Sequence, residues 1–220
     1  MWCFDHPQKY MFELEMGEEN YTTLVVDWCS FMREICTAYL ERHPIELGGI
    51  NEEDGTPIVV EIDESKYFHR KYHRGMWPDG HWVFGGIEQG TGQCFLVEVP
   101  NRRADTLRPI IHQTILPVPG THIISDGWVA YAQIGDMDGD IYSHHVIIHD
   151  DHFVDPDDPE IHTNNVENMW MRTKRKLKRQ FGTYRALFQS YLQEFQWRSL
   201  HRSRSVFGHF NVAVNMFYTL

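Results

Sequence analysis

Two aspartates, a glutamate and a lysine in this chain have the types and spacing to cut a phosphate backbone. Asp63 closes the β-branched run IVVEID, and Asp126 closes the run THIISD. Ligands of open α/β sheets gather outside such strand ends. On neighbouring strands the two carboxylates would repel, and one would hold its proton more tightly. A hard divalent cation, Mg2+ or Mn2+, resolves that conflict. Two such ions about 4 Å apart stabilise both the attacking and the leaving oxygen of an in-line phosphoryl displacement. The third part is the stretch 162–182, HTNNVENMWMRTKRKLKRQFG, which sets Glu167, Trp170, Met171 and Lys174 along one helical stripe. Glu167 and Lys174 are a heptad apart and differ by only about 20° around a helix. Either Glu167 or Asn164, one turn earlier, can complete a metal site with Asp63 and Asp126, leaving Lys174 to hold a phosphate. Arg172, Arg175, Lys176, Lys178 and Arg179 spread around the same helix and would follow a nucleic-acid backbone.

Each of these residues also has a plainer reading. An aspartate after a strand commonly forms a turn or caps the next helix, and Asp126 before Gly127-Trp128 fits that pattern. Asn164-Asn165-Val166-Glu167 has the form of a capping box, with Asn164 as N-cap and Glu167 reaching back. The cationic face can simply balance the acidic loop at 150–160. His144, His145, His149, His152 and His162 would make a zinc hydrolase the remote alternative. They lack helical H-x-x-x-H or HExxH spacing, so core or loop histidines are the simpler account.

The elements that must position this chemistry follow from periodicity. Residues 21–42 carry Leu24, Val25, Trp28, Phe31, Met32, Ile35 and Tyr39 at helical spacing, and His43-Pro44 ends that helix. Strands are expected at 58–65, 81–88 and 93–100, the last two a hairpin around Gln89-Gly90-Thr91-Gly92. A helix over 103–116, a strand at 121–126, a short helix WVAYAQI, a strand at 144–149 and helices at 163–181 and 183–198 complete the series. The order β-β-β-α-β-α-β-α fits an α/β fold with a mixed central sheet, such as the ribonuclease H-like fold. The expected division is a helical segment 1–56, a catalytic domain 57–200 and a tail or helix 201–220.

Composition narrows the class. The apolar and aromatic content is that of a folded protein. A net charge of -11 argues weakly against nucleic acid, because the local field of the basic helix matters more than the total. Cys3, Cys29, Cys36 and Cys94 form no CxxC pair, which points to a reducing compartment and to packing roles for Cys29 and Cys36. No run is long enough for a membrane span, so a soluble intracellular protein is expected, nuclear in a eukaryotic cell.

Five blocks in order carry a family resemblance: VEIDES (60–65), WVFGGIE (82–88), IISDGWVAY (123–131), FVDP (153–156) and HTNNVENMWMRTKRKLKRQFGT (162–183). Together they resemble the catalytic domain of Merlin-type DDE transposases and their bacterial insertion-sequence relatives, over roughly residues 57–200. The resemblance implies a ribonuclease H-like fold and Mg2+-dependent cleavage and joining of double-stranded DNA at transposon ends and target. It matches Asp63 and Asp126 to the first two metal-binding acids, Glu167 or Asn164 to the third position, and Lys174 to the lysine that follows. Family members carry an N-terminal zinc ribbon or other DNA-reading segment. Only residues 21–43 stand as a candidate for it here. The competing expectations are a truncated or domesticated DNA-binding derivative without catalysis, and a ribonuclease H-like nuclease that cleaves without joining. Because two ends must be brought together, a homodimer is the mechanistic expectation.

Overall fold

A computed structural model describes residues 21–68, 80–139, 141–147, 162–179, 183–202 and 205–218. In chain order the elements are α1 (Tyr21–Arg42), β1 (Ile58–Tyr67), β2 (His81–Glu88), β3 (Cys94–Val99), α2 (Ala104–Thr114), β4 (Thr121–Asp126), β5 (Ser143–Ile147), α3 (Asn164–Arg179), α4 (Phe188–Leu200) and α5 (Val206–Tyr218). They fall into two compact units, Ile45–Arg172, and Met1–Pro44 with Thr173–Leu220.

The first unit is built on β1, whose β-branched start suits a strand covered on both faces. The sheet order is β3-β2-β1-β4-β5. β1 pairs antiparallel with β2 and parallel with β4, and β4 pairs parallel with β5. A mixed five-stranded sheet in that order, with helices around it, is the ribonuclease H-like arrangement that the sequence led us to expect. Strand alternation divides β1. Val60 and Ile62 face a core that includes Phe84, Phe95, Leu107, Ile111, Ile115, Ile123 and Tyr131. Burying each such side chain contributes about 1.5–3 kcal/mol, so α2 is fixed to this face chiefly by Leu107 and Ile111.

In the second unit, α1 packs with α4 and α5 around Ile35, Cys36, Trp197, Phe210 and Ala213. Cys29 and Cys36 are buried thiols outside any disulfide, in keeping with packing roles. Glu194 is buried there between Lys176 and Arg198, at 2.9 and 2.8 Å. Those two cations hold its carboxyl below the usual range against the opposing effect of burial.

Several sequence expectations shift. β1 runs on to Tyr67 because β2 keeps pairing with it as far as Tyr67↔His81, so Asp63 lies within the strand rather than at its end. The expected helix WVAYAQI is a 3-10 turn at Val129–Tyr131, because burying Ala130, Tyr131 and Ile134 needs only a compact crossover. The helix expected from residue 183 opens as a 3-10 turn, Arg185–Leu187, and becomes α-helical at Phe188. In the strand expected at 144–149, the last two residues lie outside the described set. Among the described residues no helix is long and apolar enough to cross a membrane.

Candidate active site

The site starts from a ladder. β1 and β4 pair in parallel from Ile58↔Thr121 to Glu61↔Ile124. Asp63 and Asp126 each lie two residues past that last pair, so both project from the same face, from strands about 4.8 Å apart. Burial pushes the Asp63 carboxyl up to about 6, with the nearby charges of Asp126 and Glu167 adding to it. A backbone N–H and the Trp170 indole pull the other way. Asp126 also forms the expected turn, its Oδ1 accepting the Trp128 N–H at 3.0 Å.

Helix α3 carries Glu167, the expected third carboxylate, and what fixes its first turn is Glu61. This residue shares a face with Asp63 and is fully buried. Its carboxylate accepts hydrogen bonds from Val166 N (2.9 Å), Asn165 Nδ2 (2.6 Å) and Gln89 Nε2 (2.8 Å), and His162 Nδ1 lies 3.2 Å away. A carboxylate at a helix N-terminus meets both an orphan N–H and the positive end of the helix dipole. The capping box read from the sequence is therefore corrected. The helix begins at Asn164, Asn164 and Glu167 are exposed, and the cap comes from a strand more than a hundred residues earlier.

One turn after Glu167, Trp170 is buried and donates its indole N–H to Asp63 Oδ2 at 2.9 Å. Its ring meets Tyr67 edge-on, centroids 6.2 Å apart. The space for it is made in β2 by Gly85, the cross-strand partner of Asp63. A Cβ at that position would stand 2.6 Å from Trp170 Cη2 and 3.0 Å from the Phe95 carbonyl oxygen. Gly85→Ala should therefore lower stability by about 1–3 kcal/mol through overpacking and lift Trp170 off Asp63. Thermal melting together with tryptophan fluorescence checks this, and wild-type values for both would refute it.

Glu64 points to the opposite face of β1. Burial pushes its carboxyl up to about 7, the Tyr131 hydroxyl opposes this, and Asp63 and Asp126 raise it further. Neither Glu61, Glu64 nor Trp170 received a role from the sequence. The period-2 alternation that ties Glu61 to Asp63 was the available signal for the first.

The remaining sequence candidates fall as follows. Met171 is exposed, whereas the buried side of α3 is Val166, Met169, Trp170, Thr173 and Leu177. Lys174 and the later cations stand in the part of α3 that belongs to the second unit. Arg172 is half-buried, Arg175 and Lys178 are exposed, and Lys176 donates to Glu194. The Arg179 side chain lies outside the described residues. His149 and His152 do too, while His144 pairs with Ser125 and His162 sits by Glu61. Among the described residues, no three His, Cys, Asp or Glu groups are gathered closely enough to hold a metal ion. Asp63, Asp126 and Glu167 are in electrostatic reach of one another's field at Asp63, and all three offer the hard oxygens that Mg2+ or Mn2+ prefers. That donor set suits such an ion better than zinc.

Residues 46–199 match the family model of the ISXO2-like transposase domain. An uncharacterized transposase-like protein of Haemophilus influenzae is 31% identical over 106 residues, covering 48% of this chain and 80% of that one. Among solved structures, a chain of the simian T-cell lymphotropic virus intasome is similar at 14% identity and a TM-score of 0.44. That match covers 69% of this chain and 51% of the viral one, about half its length. The catalytic core domain of BIV integrase matches at 14% identity and a TM-score of 0.42, over 73% of this chain and 97% of its own.

Proposed function

The chain belongs to the ISXO2-like transposase domain family, and on that premise we propose that it is a DDE-type enzyme that cuts DNA at element ends and joins the freed 3′ ends to target DNA. The observation that carries this reading is the Asp63 carboxyl, buried on one sheet face and raised partly by the charges of Asp126 and Glu167. The Merlin-type resemblance over the five sequence blocks is the finer form of the same proposal.

Asp63, Asp126 and Glu167 would hold Mg2+ or Mn2+, with Asn164 the alternative to Glu167. The bound cation would supply charge neutralisation at the phosphate and acidify an attacking water or hydroxyl. The protein's own side chains do the rest. Trp170 orients one oxygen of Asp63, which leaves the carboxylate a fixed direction. Glu61 sets where α3 begins and therefore where Glu167 stands. Lys174 holds a backbone phosphate, and Arg172, Arg175, Lys178 and Arg179 follow the strand by charge, while Lys176 is committed to Glu194. Two copies of the chain would bring two DNA ends together, within the cell and in the nucleus of a eukaryote.

The runner-up is a DNA-binding derivative without catalysis, favoured by the loose spacing of the acids. Incubating the chain with duplex DNA and Mg2+ and following nicks and strand-transfer products decides between them. Asp126→Ala should remove both products while leaving a gel shift in place. Binding without cleavage in the wild type would establish the runner-up, cleavage without joining would indicate a nuclease, and undiminished cleavage by Asp126→Ala would sink the metal-site assignment.

A further inference from the structure

An arginine clamp stands at the same end of the sheet as the carboxylates, on the opposite face, where Trp82 and Trp128 pack against the core of Val60 and Ile62. β3 and β1 both run antiparallel to β2, so their carboxyl ends lie at one end of the sheet, together with that of β4. Arg102 follows β3 by three residues, Trp128 follows Asp126 by two, and Trp82 is the second residue of β2, opposite Lys66 and Val99. The Arg102 guanidinium is centred 4.2 Å from the Trp82 ring and 4.2 Å from the Trp128 ring. The Trp128 indole N–H in turn donates to the Arg102 carbonyl at 3.1 Å, which ties one ring to the arginine's own backbone. Lys66 Nζ lies 5.4 Å from the Trp82 ring, adding a second cation to this rim.

The guanidinium thus lies over two aromatic rings at once, each a cation–π contact. Its donors are confined to one plane, and the side chain is already immobilised before any ligand arrives. Among the described residues no acceptor takes those in-plane N–H groups, although Arg102 stands close enough to Glu64 for its charge to be felt there. Planar, bidentate donation is what phosphate oxygens accept best.

We infer that Arg102, held between Trp82 and Trp128, is a phosphodiester-binding residue that grips the DNA backbone at the carboxyl end of the sheet. The inference rests on the reading of the preceding subsection and adds a specific backbone contact to it. Arg102 positions the strand, and the acids would hold the cation that activates the attacking water or hydroxyl.

The test is binding of a short fluorescein-labelled duplex of arbitrary sequence to the full chain, by anisotropy across a salt series without divalent metal. Arg102→Gln should weaken binding about tenfold, as for loss of one charge-assisted hydrogen-bonded contact. It should also make the slope of log K against log salt shallower by about 0.9, the value for one phosphate. A merely structural arginine would not change that slope. Equal slopes for Arg102→Gln and wild type would overturn the inference while leaving the DNA-cutting reading intact. No binding by the wild type at any salt would sink both. If melting shows that Arg102→Gln does not fold, Arg102→Lys carries the test. It keeps the charge and loses the fork, so the slope should hold while affinity falls, and wild-type affinity would refute the clamp.

Discussion

Asp63→Asn should yield a protein that is more stable than the wild type at pH 7 and about a thousandfold slower in metal-dependent DNA cleavage. The activity loss is the scale expected when one electrostatic contributor to a transition state is removed. The stability gain follows from the direction of the Asp63 shift. Its carboxyl normally titrates at 3.8 and in the folded chain is pushed up to about 6, chiefly by burial. Between about pH 4 and pH 6 the folded state therefore binds more protons than the unfolded state, and stability falls as pH rises through that window. Above it the buried charge is a standing cost on the order of 3 kcal/mol. Asn removes the charge and keeps an oxygen for the Trp170 N–H. Metal-free melting at pH 7 and pH 4 checks this: the advantage of Asp63→Asn should be present at pH 7 and gone at pH 4. An advantage of equal size at both, or none at pH 7, would refute the account.

Glu61→Ala should be among the most damaging single substitutions in the sheet. Three donors, the buried Val166 N and the half-buried Asn165 Nδ2 and Gln89 Nε2, would lose a fully buried acceptor. Leaving a buried donor unpaired costs about 1–3 kcal/mol each, so a loss of about 3–5 kcal/mol is expected after relaxation. Glu61→Gln keeps the volume but turns an N–H toward donors, and should fall between the two. Hydrogen exchange separates a local from a general effect. The Val166 amide should lose protection in Glu61→Gln before the β1 and β2 amides do, and uniform loss would mean that Glu61 does not set the start of α3.

Asp63 and Asp126 were legible in the sequence because an acid at the end of a β-branched run is a local signal. Glu61 carries nearly the same signal, an acid within an apolar run, yet its meaning depends on partners at Asn165 and Val166. No local pattern holds that information. The same distance hid Trp170, which the helical stripe located but could not connect to Asp63. The capping box failed for a related reason. Asn164 and Glu167 have the right local pattern, but the Glu167 N–H goes to the Thr163 carbonyl and a strand carboxylate takes the Val166 N–H. Gly85 read as part of a strand, and only the indole above it explains why a side chain is excluded there.

The ladder between β1 and β4 also decides which changes of length this chain tolerates. Asp63 and Asp126 are level because each is the sixth residue of a strand whose first residues, Ile58 and Thr121, are paired. The 53 residues from Phe68 to Gly120 that connect these strands do not enter that count. Loops within the connection can grow or shrink without altering the spacing of the two acids. One residue inserted between Ile58 and Asp63 would turn Asp63 to the opposite face of the sheet. Mutational scanning with single-residue insertions should therefore find a sharply bounded intolerant window in β1 and β4, and a permissive β2–β3 turn at 89–92.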